Sequence, residues 1–201
     1  MLRPDPLYTI AAGQEGHFTT AQAEAAGYSR QLLRHHVLGG TFLRVLRGIY
    51  RFVQFPAGTH EHLVIAWLWS EQQGVFSHQT ALGLHELSDA LPARVHLTLP
   101  ISWRRSRLRV PNDLILHFAK VASSDRAWFG AVPLTSVPRT LNDCARDGLA
   151  PDLLRQAAQQ ALQRGRVKLG DITAVLEALA PFGGLHEQPG LPRRRRPRIA
   201  T

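Results

Sequence analysis

Cysteine, methionine and lysine are nearly missing from this chain, which has one cysteine, one methionine and two lysines among 201 residues. Cys144 cannot close an internal disulfide and lacks the partners of a cysteine-built zinc site, which excludes a disulfide scaffold and fits a reducing cytoplasm. Long apolar runs are also missing. The longest, Leu63 to Trp69, falls far short of the roughly 20 residues a membrane-spanning helix needs, so no membrane partner is expected. The opening residues, Met1-Leu2-Arg3-Pro4-Asp5-Pro6, put two prolines and an acid where a secretory signal carries its apolar stretch, and no export is expected.

Negative charge is scarce as well: 15 Asp and Glu face 24 Lys and Arg, a net charge of +9. The excess is clustered. Arg193 to Arg196 with Arg198 form one group, and Arg104, Arg105, Arg107 and Arg109 form another. Residues 1–55 carry six arginines against Asp5, Glu15 and Glu24, and are therefore basic in their own right. An anionic partner is favoured. With 44% apolar and 19% charged residues, the rest is ordinary globular material.

The first segment has the punctuation of three short helices and a hairpin. Leu7 to Gly13 is the first helix; Thr19 or Thr20 supplies a hydroxyl cap for the second, with Gln22 at capping-box spacing from Thr19, and that helix runs to about Ala26. Gly27 makes the turn, and Ser29 caps a third helix through about Leu38. This is helix-turn-helix spacing. Two β-prone runs, Phe42 to Leu46 and Ile49 to Phe52, flank Arg47-Gly48 and form a wing.

Pro56 and Gly58 mark a boundary near residue 55. Beyond it the pattern predicts a helix over 61–73, a strand over 74–77, a helix over 79–87, and strands over 94–99, 114–121 and 127–131. Helices capped by Ser136 and begun by Asp152 and Asp171 follow, ending near Arg146, Arg164 and Leu179. The expected fold class is α+β: a winged helix-turn-helix over 1–55, a mixed α/β domain over 60–181 with helices at its end, and a mobile Arg-rich tail over 182–201.

A helix that enters the major groove needs polar and cationic side chains near its N-terminus, where the base edges are within reach. Ser29, Arg30, Gln31, Arg34 and His35 meet that need, since Arg matches guanine and Gln matches adenine through paired hydrogen bonds. Thr19, Thr20 and Gln22 suit phosphate contacts at the second helix's start, and Arg44, Arg47 and Arg51 bring charge to the wing. Double-stranded DNA is the expected partner.

The stretch from Gly16-His17-Phe18-Thr19-Thr20 to Ala23, then Gly27-Tyr28-Ser29-Arg30, then Gly40 to Tyr50, resembles the N-terminal domain of the AbiEi-like antitoxins of type IV toxin–antitoxin systems. The likeness extends through Ser77-His78-Gln79-Thr80-Ala81-Leu82 with His85, through Val95 to Pro100, and through Leu134 to Asp143, covering roughly residues 7–180. It implies a repressor of its own operon whose second domain opposes a nucleotidyltransferase-like toxin, bound directly or opposed functionally. It also singles out Thr80, His85, Arg139 and Asp143 as family-like positions without an assigned role; capping, a buried hydrogen bond or an Arg139–Asp143 pair is the structural alternative.

No enzyme, cofactor or metal is expected. His60-Glu61 and His85-Glu86 begin like zinc-protease helices, but Val64 and Asp89 stand where the second histidine belongs. A phosphate-binding glycine loop and a glycine-flanked nucleophilic serine are both missing. The alternative enzyme is a restriction-endonuclease-like, metal-dependent nuclease using Asp113 and Lys120, yet Phe118 occupies the position of the required second acid.

Overall fold

Asp5 sets the first element, its carboxylate accepting the Leu7 amide at 3.0 Å so that Pro6 can open α1 (Pro6–Ala12). The computed structural model describes residues 5–56, 58–88, 92–106 and 108–185; Asp89, Arg107 and the Arg193 to Arg198 stretch of the expected tail lie outside them. Gly16 turns the chain at φ +83°, and a Cβ there would come within 2.5 Å of Phe55, so both backbone angle and space require glycine.

Three residues then form β1 (His17–Thr19), which the sequence did not reveal. Thr19 caps α2 (Thr20–Ala25) in a complete capping box with Gln22. After Gly27, Ser29 caps α3 (Arg30–Leu38) by accepting the Leu32 amide at 3.2 Å. The hairpin is β2 (Phe42–Leu46) and β3 (Ile49–Phe52), and β1 adds antiparallel to β3 to give a three-stranded sheet ordered β1-β3-β2. Leu7, Ala11, Phe18, Leu33, Phe42 and Phe52 fill the core between these helices and the sheet.

The second part begins with α4 (Glu61–Trp69). It ends four residues before the expected Gln73: Ser70 Oγ bonds both the Trp67 carbonyl and the Gly74 amide, while Glu71 and Gln72 take left-handed angles that no helix continues. β4 (Val75–Phe76), α5 (His78–Leu84), β5 (Val95–Leu99), β6 (Leu114–Phe118), β7 (Arg126–Phe129) and β8 (Val132–Thr135) follow. The five strands form one sheet ordered β6-β5-β4-β8-β7, with the β4–β8 and β5–β6 pairs parallel and the β4–β5 and β7–β8 pairs antiparallel.

The last helices are α6 (Val137–Arg146), α7 (Pro151–Gln163) and α8 (Thr173–Leu179). Their starts differ in mechanism from those expected. Ser136 stands at the N-cap of α6 without a side-chain capping bond; Asp152 lies inside the first turn of α7 and pairs with Arg155; Asp171 closes a 3-10 turn through the Lys168 amide, two residues before α8.

The molecule is α+β with three apolar cores. The first lies under the helix-turn-helix, the second lies between α4 and the five-stranded sheet, and the third joins α5 to α6, α7 and α8. Ile49 of the hairpin belongs to the second core, so the wing packs on α4. At that seam Glu61 receives His17 Nε2 at 3.2 Å and Arg51 at 3.5 Å, and Gln14 accepts from Gln72 at 2.8 Å.

Candidate nucleic-acid interface

The helix α3 presents Ser29, Arg30, Gln31, Arg34 and His35 to solvent, while Leu33 from the same helix is buried in the first core. The helical period, at about 100° per residue, puts 31 and 35 roughly opposite residue 33 and leaves 30 and 34 on the flank beside it, where Arg30 and Arg34 line a groove together with Leu33. The second part of the chain does not cover these residues. Arg30 keeps 87% of its side-chain surface exposed and makes one 3.3 Å contact, to Glu24, an exposed pair too weak to hold it.

Between α3 and the wing runs an open groove of about 620 Å³, and every charged residue lining it is an arginine: Arg30 and Arg34 from the helix, Arg44 and Arg47 from the hairpin. Gly48 permits the wing's turn at φ +80° and Thr20 bonds its carbonyl at 3.3 Å, which ties the wing tip to α2. Four guanidinium groups facing one channel repel one another, and an anionic ligand relieves that repulsion.

Other sequence-proposed residues are engaged inside the fold. Thr19 Oγ accepts the Gln22 amide, Gln22 exchanges hydrogen bonds with Thr19 and Gln14, and Thr20 donates to Gly48. Arg51 turns from the wing toward α4, where its half-buried side chain meets Glu61. The structure thus brings Arg30, Arg34, Arg44 and Arg47 to one groove, leaves Ser29, Gln31 and His35 exposed outside its lining, and places Thr19, Thr20, Gln22 and Arg51 in contacts within the fold.

Residues 5–53 match the family model described as "Transcriptional regulator, AbiEi antitoxin". The match covers α1 through β3, the whole helix-turn-helix with its wing, and supports a DNA-binding regulator role. No curated protein matches the chain. A solved structure titled "Crystal structure of RV2827C protein from Mycobacterium tuberculosis" is 14% identical, covering 94% of this chain and 87% of that one, with a TM-score of 0.42, too low to argue a shared fold.

Outside the AbiEi-matched stretch, two of the four remaining sequence-derived positions, Thr80 and His85, hold α5 to the five-stranded sheet, while Arg139 and Asp143 pair with each other along α6. Thr80 Oγ accepts the His96 amide at 2.8 Å, tying α5 to β5. His85 Nε2 meets the Thr135 carbonyl at 2.8 Å, tying α5 to β8, and burial pushes the imidazole below its usual range against the opposing pull of that bond. Arg139 Nε lies 2.9 and 2.7 Å from the two Asp143 oxygens. Cys144, whose thiol burial pushes up to about 12, is part of the third core and no nucleophile.

Sequence reading missed one cluster. His78 on α5, His96 on β5 and His117 on β6 bring ring nitrogens to within 4.8 Å of one another. Burial is the largest cause of a lowered pKa in all three, with His78 reaching about 3 as His117, His96 and Arg139 add repulsion; Asp147 acts in the opposite direction on His96 and His117. Their separation in sequence matches no ligand motif. Only the parallel pairing of β5 with β6, which sets Leu97 against Leu116 and carries His96 and His117 beside each other, makes them neighbours.

Proposed function

We propose that this chain is a transcriptional repressor that binds the operator of its own operon and acts as the antitoxin of a type IV system, opposing a nucleotidyltransferase-like toxin. The all-arginine channel between α3 and the wing is the observation that carries the DNA-binding part. In this reading residues 1–55 are the DNA-binding unit, residues 60–181 serve the antitoxin role without catalysis, and residues 182–201 are an Arg-rich extension. Arg30 and Gln31 read base edges from the start of α3, helped by Ser29, Arg34 and His35. Arg44 and Arg47 neutralise phosphates. Thr19, Thr20, Gln22 and Arg51 hold the elements that present them.

The test is a mobility shift of promoter DNA across a salt series, with and without Mg²⁺. Arg47→Ala should flatten the logarithmic salt slope by about 1, uniformly across sequences. Arg30→Ala or Gln31→Ala should instead weaken discrimination at a single base pair by about 1–3 kcal/mol. Failure of the intact protein to retard its promoter at any salt overturns the repressor; Mg²⁺-dependent cleavage would establish the nuclease reading instead. The structure disfavours cleavage by Asp113 and Lys120, because they flank opposite ends of β6, and a strand rising about 3.3 Å per residue keeps them too far apart for one ion.

A further inference from the structure

We propose that His78, His96 and His117 form a binding site for one transition-metal dication of the Zn²⁺ class, with its fourth position open to solvent.

The donor chemistry fits. Imidazole nitrogen is the ligand type that suits zinc, copper, nickel and iron, and three protein ligands with one vacant position are the arrangement of an open rather than a closed zinc site. His96 Nδ1 and His117 Nε2 face each other at 3.0 Å. Two nitrogens bound tetrahedrally to one ion at about 2.0–2.1 Å stand about 3.3 Å apart, so this pair is almost at ligand spacing already. The His78 ring lies over His117 with centroids 3.6 Å apart and planes 15° apart. Convergence on one ion requires the two stacked rings to fan apart, while the outer separation, within 4.8 Å, contracts by up to about 1.5 Å.

The shell around the rings is that of oriented ligands. Ser77, fully buried, places its Oγ 2.9 Å from His78 Nδ1 and accepts from Thr98 at 2.7 Å. A hydroxyl already accepting from Thr98 can also accept His78 Nδ1–H, which leaves Nε2 with its lone pair; metal-bound histidines are commonly fixed through their second nitrogen in this way. Thr80 bonds the His96 backbone amide, fixing a second ligand from the same helix. His78 itself sits at φ +50°, a left-handed angle that is unfavourable for a non-glycine residue and that the surrounding contacts must impose. Strain of this kind clusters at functional positions.

The cluster is also reachable. A cleft of about 260 Å³ is lined by His78, His117, Arg139, Asp143 and Asp147. Asp147, exposed at the C-cap of α6, is the carboxylate available for the fourth position, with water as the other occupant. The site is independent of the DNA-binding reading, since it shares no residue with the arginine channel.

The full chain, stripped with EDTA and dialysed, should take up one equivalent of Zn²⁺ in a calorimetric titration, with a rise in melting temperature. His96→Asn and His117→Asn should abolish stoichiometric uptake, Ser77→Ala should weaken it about 10–100-fold, and the control His62→Asn should leave it unchanged. Histidine NMR on the wild-type chain supplies a readout that needs no variant to fold. One equivalent of Zn²⁺ should shift three imidazoles and leave the other seven of the ten in place. Absence of stoichiometric uptake by the wild type, uptake that survives both ligand variants, or shifts confined to other histidines would each overturn the site.

Discussion

Arginines at two places in this molecule do opposite work. In the N-terminal part Arg30 is 87% exposed with a single loose contact, and Arg34, Arg44 and Arg47 likewise stand in solvent along one groove. In the second part Arg139 is 21% exposed and held by Asp143 and Asp125, while Arg155 is buried and bonds the Phe182 and Gly184 carbonyls. Loosely held cations line a groove open to an anion; firmly paired cations tie helices to their neighbours. Arginine content alone therefore says little, and pairing decides the role.

The comparison can be broken most severely in the cores. Phe18 is fully buried and meets the rings of Phe42, Tyr50 and Phe52, so Phe18→Ala should destabilise the first unit by about 3–5 kcal/mol. If residues 1–55 and 60–181 unfold independently, two unfolding transitions should appear, and the second should stay near its original midpoint; one shared, lowered transition would show that the α4 seam makes the molecule a single cooperative body. A smaller contrast lies in the arginines. Asp143→Ala leaves Arg139 with only Asp125 and the Lys120 carbonyl, at 3.4 and 3.5 Å, and should lower stability by about 1–3 kcal/mol in urea melts, whereas Arg34→Ala should stay within about 0.5 kcal/mol. Equal losses from both would erase the distinction between free and structural cations.

The subtlest effect is on pH. His85 is neutral and buried against the Thr135 carbonyl, with the Arg166 charge nearby and burial holding its pKa below 6.5. The unfolded chain then binds a proton near pH 6.5 that the folded chain refuses, so stability is full above that pH and falls as pH drops below it. His85→Gln, which can still donate to Thr135, should flatten urea-derived stability between pH 7 and pH 5 by at most about 1.4 kcal/mol per pH unit, one proton's share. An unchanged slope would mean that His85 titrates alike in both states.

Local signals were legible in the sequence. The Thr19 and Ser29 caps, the Gly27 turn and both hairpin strands stand where side-chain chemistry within a few residues puts them. Elements set by distant partners were not legible. β1 is a strand only because Phe18 pairs with Tyr50, and β8 carries Pro133 in the middle of a sheet, a residue whose missing N–H argues against a central strand. The exposure of Gln31 and His35 opposite the buried Leu33 could be drawn from helical period alone. The diversion of Arg51 to Glu61 and the meeting of His78, His96 and His117 could not, because each depends on contacts between elements far apart in the chain.

Glu61 gives one last consequence. A single carboxylate at the start of α4 holds β1 through His17 and β3 through Arg51, with Ile49 buried beside it. The winged unit is thereby clamped to its neighbour at two points instead of hanging from a tether, so the arginine groove and the five-stranded sheet keep one fixed bearing to each other, like a jig holding two workpieces in alignment.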